Sequence, residues 1–189
     1  MKLLIMGPPG VGKGTQAKII KDKLRIAHIS TGELLRKEIA EKTEVGMVAK
    51  RYIDQGKLVP DNFLFTIVNE RLGQPDCRDG YILDGFPRTL NQANGLEKIM
   101  SSFDHSLDRA ISLHADEDAL VERLVKRGEN SGRSDDTSNI IRNRQKIYWQ
   151  QTAPLLDFYE ERGLLDNVNG LGEIKEITER ILTIIRYSC

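Results

Sequence analysis

Short apolar runs rich in β-branched residues alternate along the chain with longer segments in which apolar positions recur at helical spacing. The first kind of run is what a strand buried on both faces looks like, and the second is the stripe of a helix packed on a sheet. Strand-like runs fall at 3–6, 26–29, 81–83, 110–113 and 164–168. Helical spacing occupies 13–24, 31–41, 45–55, 62–72, 89–101, 116–127, 138–161 and 173–187. This alternation predicts an α/β fold: a five-stranded parallel sheet flanked by helices.

Two stretches depart from plain alternation. Between the second and third strands lie about fifty residues with several helical patterns, more than a crossover needs, so a small helical insertion is expected there. Residues 128–136, GENSGRSDD, contain two glycines and no apolar position and predict a loop. No repeat, low-complexity tract or linker divides the chain, which reads as a single domain over 1–189.

Composition narrows the function classes. The 189 residues suit one domain, and 28 Lys and Arg against 28 Asp and Glu give zero formal charge. Such a surface does not grip nucleic acid or an anionic membrane by bulk electrostatics, so neither partner is expected. Cys77 and Cys189 belong to no ligand cluster and read as free thiols of a reducing compartment. The run at 3–6 is cut by Gly7, Pro8 and Pro9 well short of an export signal, and no run approaches the ~20 apolar residues of a membrane span. A cytoplasmic location is expected. His28, His105 and His114 show no ligand spacing.

The chemistry is concentrated in a few motifs. Gly7-Pro8-Pro9-Gly10-Val11-Gly12-Lys13-Gly14-Thr15 follows the first strand and opens the first helix. Glycines there let backbone N–H groups converge on phosphate oxygens at a helix N-terminus, Lys13 reaches the transferred end of a triphosphate, and Thr15 offers a hydroxyl near Mg²⁺. Gly14 stands where the generic pattern has the hydroxyl residue. The third strand ends in Asp84-Gly85-Phe86-Pro87-Arg88, placing a carboxylate where parallel strands meet ligands, suited to organising water around Mg²⁺. Arg88 offers a fork to a phosphate, and Gln92, a helical turn on, offers the donor and acceptor that an adenine edge requires. The pair suggests a second, adenine-bearing nucleotide.

Projected as one helix, 138–161 puts Ile140, Ile147, Tyr148, Leu155 and Phe158 on a stripe, with Arg144 among them and Arg142 opposite. An arginine facing a core needs an anionic partner or water, which makes Arg144 a ligand candidate. Arg123 and Arg127 are like-charged i,i+4 neighbours, and phosphate, a carboxylate or snorkelling would each offset their repulsion. Arg133 sits in the polar excursion, where a mobile loop would deliver it only after both ligands bind; a solvated turn is the alternative.

With these residues in view, the chain resembles the adenylate kinases, over essentially its whole length. GPPGVGKGTQ, STGELLR, GKLVPD, DGFPRTLNQA and GRSDD occur in that family's order, and the intervening Gly14 is the family's own. The resemblance implies a P-loop core with an AMP-binding insertion at 30–59 and a short lid at 126–136. It implies that Gly10, Val11, Gly12, Lys13, Gly14 and Thr15 hold ATP phosphates, that Arg127 approaches the ATP side, and that Gly172 meets the ATP base. Thr31 and Arg36 would meet AMP, Lys57, Leu58 and Val59 would line its base, and Gly85, Phe86, Pro87, Arg88 and Gln92 would complete that pocket. Arg123, Arg133 and Arg144 would join the reacting phosphates, and Asp135 and Asp136 would orient arginines. It further implies Mg²⁺ arriving with ATP, no structural zinc, and nucleotides as the partners; with no long exposed apolar stripe along the sequence, a monomer is the expectation. The expected reaction is ATP plus AMP to two ADP, serving adenine nucleotide balance. A UMP/CMP kinase shares the fold and lid, though Gln92 in its Thr89-Leu90-Asn91-Gln92-Ala93 context favours AMP. A nucleotide-dependent switch would leave these arginines idle.

Overall fold

Parallel strands buried on both faces alternate their side chains between two cores, and this chain does so strictly. The structure, a computed structural model, describes residues 1–131 and 135–187. Strands β1 (Lys2–Met6), β2 (Ala27–Ser30), β3 (Tyr81–Asp84), β4 (Arg109–His114) and β5 (Leu165–Asn169) form one sheet in the order β2-β3-β1-β4-β5. All of its pairings are parallel. In β1, Leu3 and Ile5 face a core with Ile20 and Ile181, while Leu4 and Met6 face another with Leu72, Met100 and Leu155.

The first core is covered by α1 (Lys13–Leu24), α6 (Glu117–Ser131) and α9 (Ile174–Tyr187), the second by α4 (Asp61–Leu72), α5 (Leu90–Ser101) and α8 (Leu155–Glu160). Between β2 and α4 the expected helical excursion is α2 (Thr31–Ala40) and α3 (Glu44–Ile53), which add Leu35 and Ala49 to the second core. Side-chain caps set several helix starts: Ser30, Thr43 and Thr89 accept the N–H of Glu33, Gly46 and Gln92. The chain leaves β1 toward β2 on one side and later crosses to β4 on the other. The strand order therefore reverses at β1, and a crevice opens at the carboxyl ends of β1 and its neighbours.

Two expectations are corrected. The segment 138–161 is not one helix: α7 (Ser138–Ile147) passes into a π-helical turn at Tyr148–Thr152, and α8 follows Pro154. Pro154 has no N–H to continue the ladder and its ring crowds the preceding turn, and the Ala153 N–H reaches back five residues to the Tyr148 carbonyl. The buried stripe also differs: Ile141, Gln145, Tyr148, Thr152, Leu155 and Tyr159 are buried in steps of three and four, while Ile140, Ile147 and Phe158 are only partly so, because polar Gln145 and Thr152 hold core positions that an apolar projection passes over. The excursion at 128–136 is also shorter than expected, because α6 runs on to Ser131. Cys77 is a buried free thiol; Cys189 lies outside the described residues. No described helix is long and apolar enough to cross a membrane.

Candidate active site

Residues 7–12, between β1 and α1, wrap into a loop that only glycine permits at two points. Gly7 and Gly10 have φ of 137° and 91°, and a Cβ there would lie 2.3 Å from the Leu113 carbonyl oxygen or 2.7 Å from that of Leu120. Gly12 starts α1 without a side-chain cap, so the helix presents its first amides to an anion. Lys13 bends back over the loop and donates to the Gly7 and Pro8 carbonyl oxygens at 2.7 and 3.0 Å. Burial pushes its pKa down to about 7; Asp84 pulls the other way, and Arg88, Arg144 and Arg127 add to the fall.

Asp84, at the end of β3, has Ile5 and Ser30 as register partners, which brings its carboxylate beside the loop. A Cβ on Gly14 would stand 3.4 Å from its Oδ2, so the position after Lys13 faces this carboxylate and a larger side chain there would crowd it. Burial opposes ionisation of Asp84. The His28 imidazole, with Nε2 at 3.5 Å, and the charges of Lys13 and Arg88 outweigh burial and hold the carboxyl below its usual range.

Arginines ring the same space. Arg88 Nε donates to the Gly85 carbonyl oxygen at 2.7 Å, and burial, then Arg144, lowers its pKa. Arg127 forms a two-pronged pair with Asp136, both contacts 2.7 Å, and Arg144 reaches the same carboxylate at 2.8 Å and Asp135 at 2.9 Å. The carboxylates thus separate guanidinium groups that would otherwise repel. Arg123 donates to the Gly170 carbonyl oxygen at 3.1 Å. Arg142, on the far side of α7, is exposed.

A cavity of about 610 Å³ gathers these segments. Its wall takes Gly10, Val11, Gly12, Lys13, Gly14 and Thr15 from the loop, Thr31 and Arg36 from α2, and Lys57, Leu58 and Val59 from the turn after α3. Asp84, Gly85, Pro87, Arg88, Arg123, Arg127, Asp135, Arg144 and Gly172 complete it. Phe86 is instead buried in the second core. Gln92 is buried too, its Oε1 accepting the Arg88 N–H at 2.8 Å and its Nε2 donating to Asp61 at 2.7 Å. Arg133 lies outside the described residues.

The family model for adenylate kinase matches residues 5–164. An adenylate kinase of Stenotrophomonas maltophilia (strain K279a) is 48% identical over 98% of this chain and 100% of its own length. That of Bifidobacterium longum (strain NCC 2705) is 49% identical over 97% of this chain and 98% of its own. The chain belongs to the adenylate kinase family.

Sequence reasoning missed some of the residues around this adenylate kinase site. His28 received no role, yet it stands behind Asp84; the parallel register, with His28 opposite Ile82 and Ser30 opposite Asp84, was the signal that joins them. Gln145 was hidden because a polar residue at a buried helix position leaves no mark in the apolar stripe. Ile174, the exposed start of α9, borders the cavity beside Gly172, where an apolar side chain suits the face of a base.

Proposed function

We propose that the chain transfers the terminal phosphoryl group of ATP to AMP, forming two ADP, in a reversible reaction. One observation carries this: a single cavity is lined both by the phosphate loop with Lys13 and by Thr31, Arg36, Lys57, Leu58, Val59, Gly85 and Arg88, with arginines between the two groups. A switch that binds one nucleotide has no use for the second half. Residues 30–59 form the acceptor insertion, and 126–136 the short lid.

ATP lies along the loop, its phosphates on the amides of residues 10–15 and on Lys13, which leaves the Gly7 and Pro8 carbonyls to meet them. Arg123 and Arg127 face the donor phosphates, and the Gly172 backbone meets the ATP base. AMP sits against Thr31, Arg36 and the 57–59 backbone, its phosphate on Arg88. Gln92 reads the adenine edge by exchanging Asp61 for the base. Arg144 and Arg133 complete the charge around the transferred group.

The donor set suits Mg²⁺, which prefers hard oxygen ligands and keeps several waters. Asp84, held ionised, and the Thr15 hydroxyl would hold it through ATP and water; the ion neutralises phosphate charge and fixes the phosphates' geometry. An ionised AMP phosphate oxygen is already a nucleophile, so the chain supplies no general base. Its residues align the two phosphates and neutralise charge.

The test is an acceptor panel: AMP, UMP and CMP at fixed Mg·ATP, with nucleoside diphosphate as the readout. AMP turnover well above both pyrimidines is expected. Preference for UMP or CMP moves the chain to the pyrimidine kinases, and ATP hydrolysis without transfer overturns the proposal.

A further inference from the structure

Asn143 and Gln145 flank Arg144 on α7, and neither has a part in the reaction described above. Gln145 is 3% exposed. Its Nε2 donates to the Pro9 carbonyl oxygen at 3.2 Å, but its Oε1 is buried without a partner. A half-satisfied amide is a poor way to fill a core, since an apolar side chain of the same shape leaves no orphan. What the amide provides is the bond to Pro9. Gly7, Pro8 and Pro9 carry successive carbonyls of the phosphate loop, and Lys13 holds the first two. Once Lys13 turns to a phosphate those bonds are lost, and the Pro9–Gln145 bond remains as a tie between loop and helix.

The other neighbour faces the opposite substrate. Asn143 Nδ2 donates to the Gln55 carbonyl oxygen at 2.7 Å. Gly56 follows with φ 65°, and a Cβ on it would lie 2.9 Å from Ile140 Cγ2 and 3.1 Å from Arg144 Cγ. The turn is thus seated directly on α7, and it leads into Lys57, Leu58 and Val59 on the cavity wall.

We propose that Asn143 and Gln145 are positioning residues that tie the acceptor-side turn and the donor-side loop to the stretch of α7 bearing Arg144, so that one helix sets the separation of the two substrates. The inference rests on the assignment of the cavity to ATP and AMP. Each tie acts on its own side. Loss of the Gln145 bond loosens the loop that receives ATP, and loss of the Asn143 bond loosens the turn beside AMP.

The experiment is steady-state kinetics with ATP and AMP varied separately, alongside thermal melts. Gln145→Met keeps length without the donor; it is expected to raise KM for ATP about 5- to 10-fold with KM for AMP within about twofold. Its melting temperature is expected to stay close to wild type, because the orphan oxygen goes while the Pro9 carbonyl, released on the cavity wall, turns to water. Gln145→Leu repeats the test should the Met variant fold poorly. Asn143→Ala gives the mirror result, a rise confined to AMP, and Asn143→Gln, which restores a donor, recovers most of it. Equal shifts in both KM values, or a change in melting temperature alone, overturn the ties. Failure of the wild-type protein to form ADP from ATP and AMP overturns the substrate assignment and this inference with it. Turnover without the split overturns the ties only.

Discussion

Lys13 shows how a single side chain makes ligand binding depend on pH. Its pKa falls from 10.5 to about 7 because burial, with Arg88, Arg144 and Arg127 nearby, outweighs Asp84. Between those values the unfolded chain holds a proton that the folded chain has released. Stability therefore rises with pH across that window, and the cost of burying the ammonium is complete only below about pH 7. Lys13→Met should melt above wild type at pH 6 to 7, by a margin that shrinks toward about pH 10; a margin constant with pH would refute the assignment. A triphosphate restores the charged form, so ATP binding takes up a proton and weakens as pH rises above about 7, which calorimetry in buffers of different ionisation enthalpy measures. Arg88 works without titrating: Arg88→Ala should lower kcat/KM for AMP by about 10³-fold or more, the scale on which a phosphate-clamping arginine acts. Near-wild-type ADP formation in a coupled assay would remove Arg88 from the site.

Helices α6 and α7 meet through one carboxylate. Asp136, its side chain fully buried, holds Arg127 and Arg144 at once, whereas Asp135 pairs with Arg144 alone among the described residues. Removing a buried partner strands the opposite charges, though Arg127 at 34% exposure keeps part of its hydration. Asp136→Asn is expected to lower the unfolding free energy by about 2–3 kcal/mol, and Asp135→Asn by less, as read from urea midpoints. At this same scale the sequence was legible where burial was uniform. Strands such as Tyr81–Asp84 are apolar on both faces and declare themselves, and the glycine loop follows from its residue types alone. The helix after Ser138 was not, because two of its buried positions, Gln145 and Thr152, carry polar side chains that an apolar stripe does not reveal. Side-chain periodicity sees a polar Gln145 as a gap in that stripe, and only the register of loop against helix shows it meeting Pro9. Gly14 and Asp84 were each singled out, but their proximity depends on the pairing of β1 with β3.

Across the whole molecule, 28 basic residues balance 28 acidic ones, yet Lys13, Lys18, Arg36, Lys57, Arg88, Arg123, Arg127 and Arg144 converge on one cavity against the carboxylates of Glu33, Asp84 and Asp135. Attraction for polyanions is therefore local and needs the ligand inside, where few water molecules screen it. On the proposed assignment donor-side and acceptor-side segments share that cavity, so a ligand carrying an adenosine at each end of one polyphosphate chain would engage both halves in a single event. Linking makes the second contact intramolecular, and such a ligand should bind far more tightly than ATP or AMP alone. At about 1,000 times its dissociation constant it stabilises the folded chain by ~4 kcal/mol, which for a protein of this size raises the melting temperature by roughly 8–16 °C. ATP or AMP at the same concentration should give clearly smaller shifts, and a bridge too short to span the two halves should behave like ATP. A linked ligand that shifts the melt no further than ATP would mean that the two halves of the cavity do not bind at once, and phosphoryl transfer between bound nucleotides would then lose its structural basis.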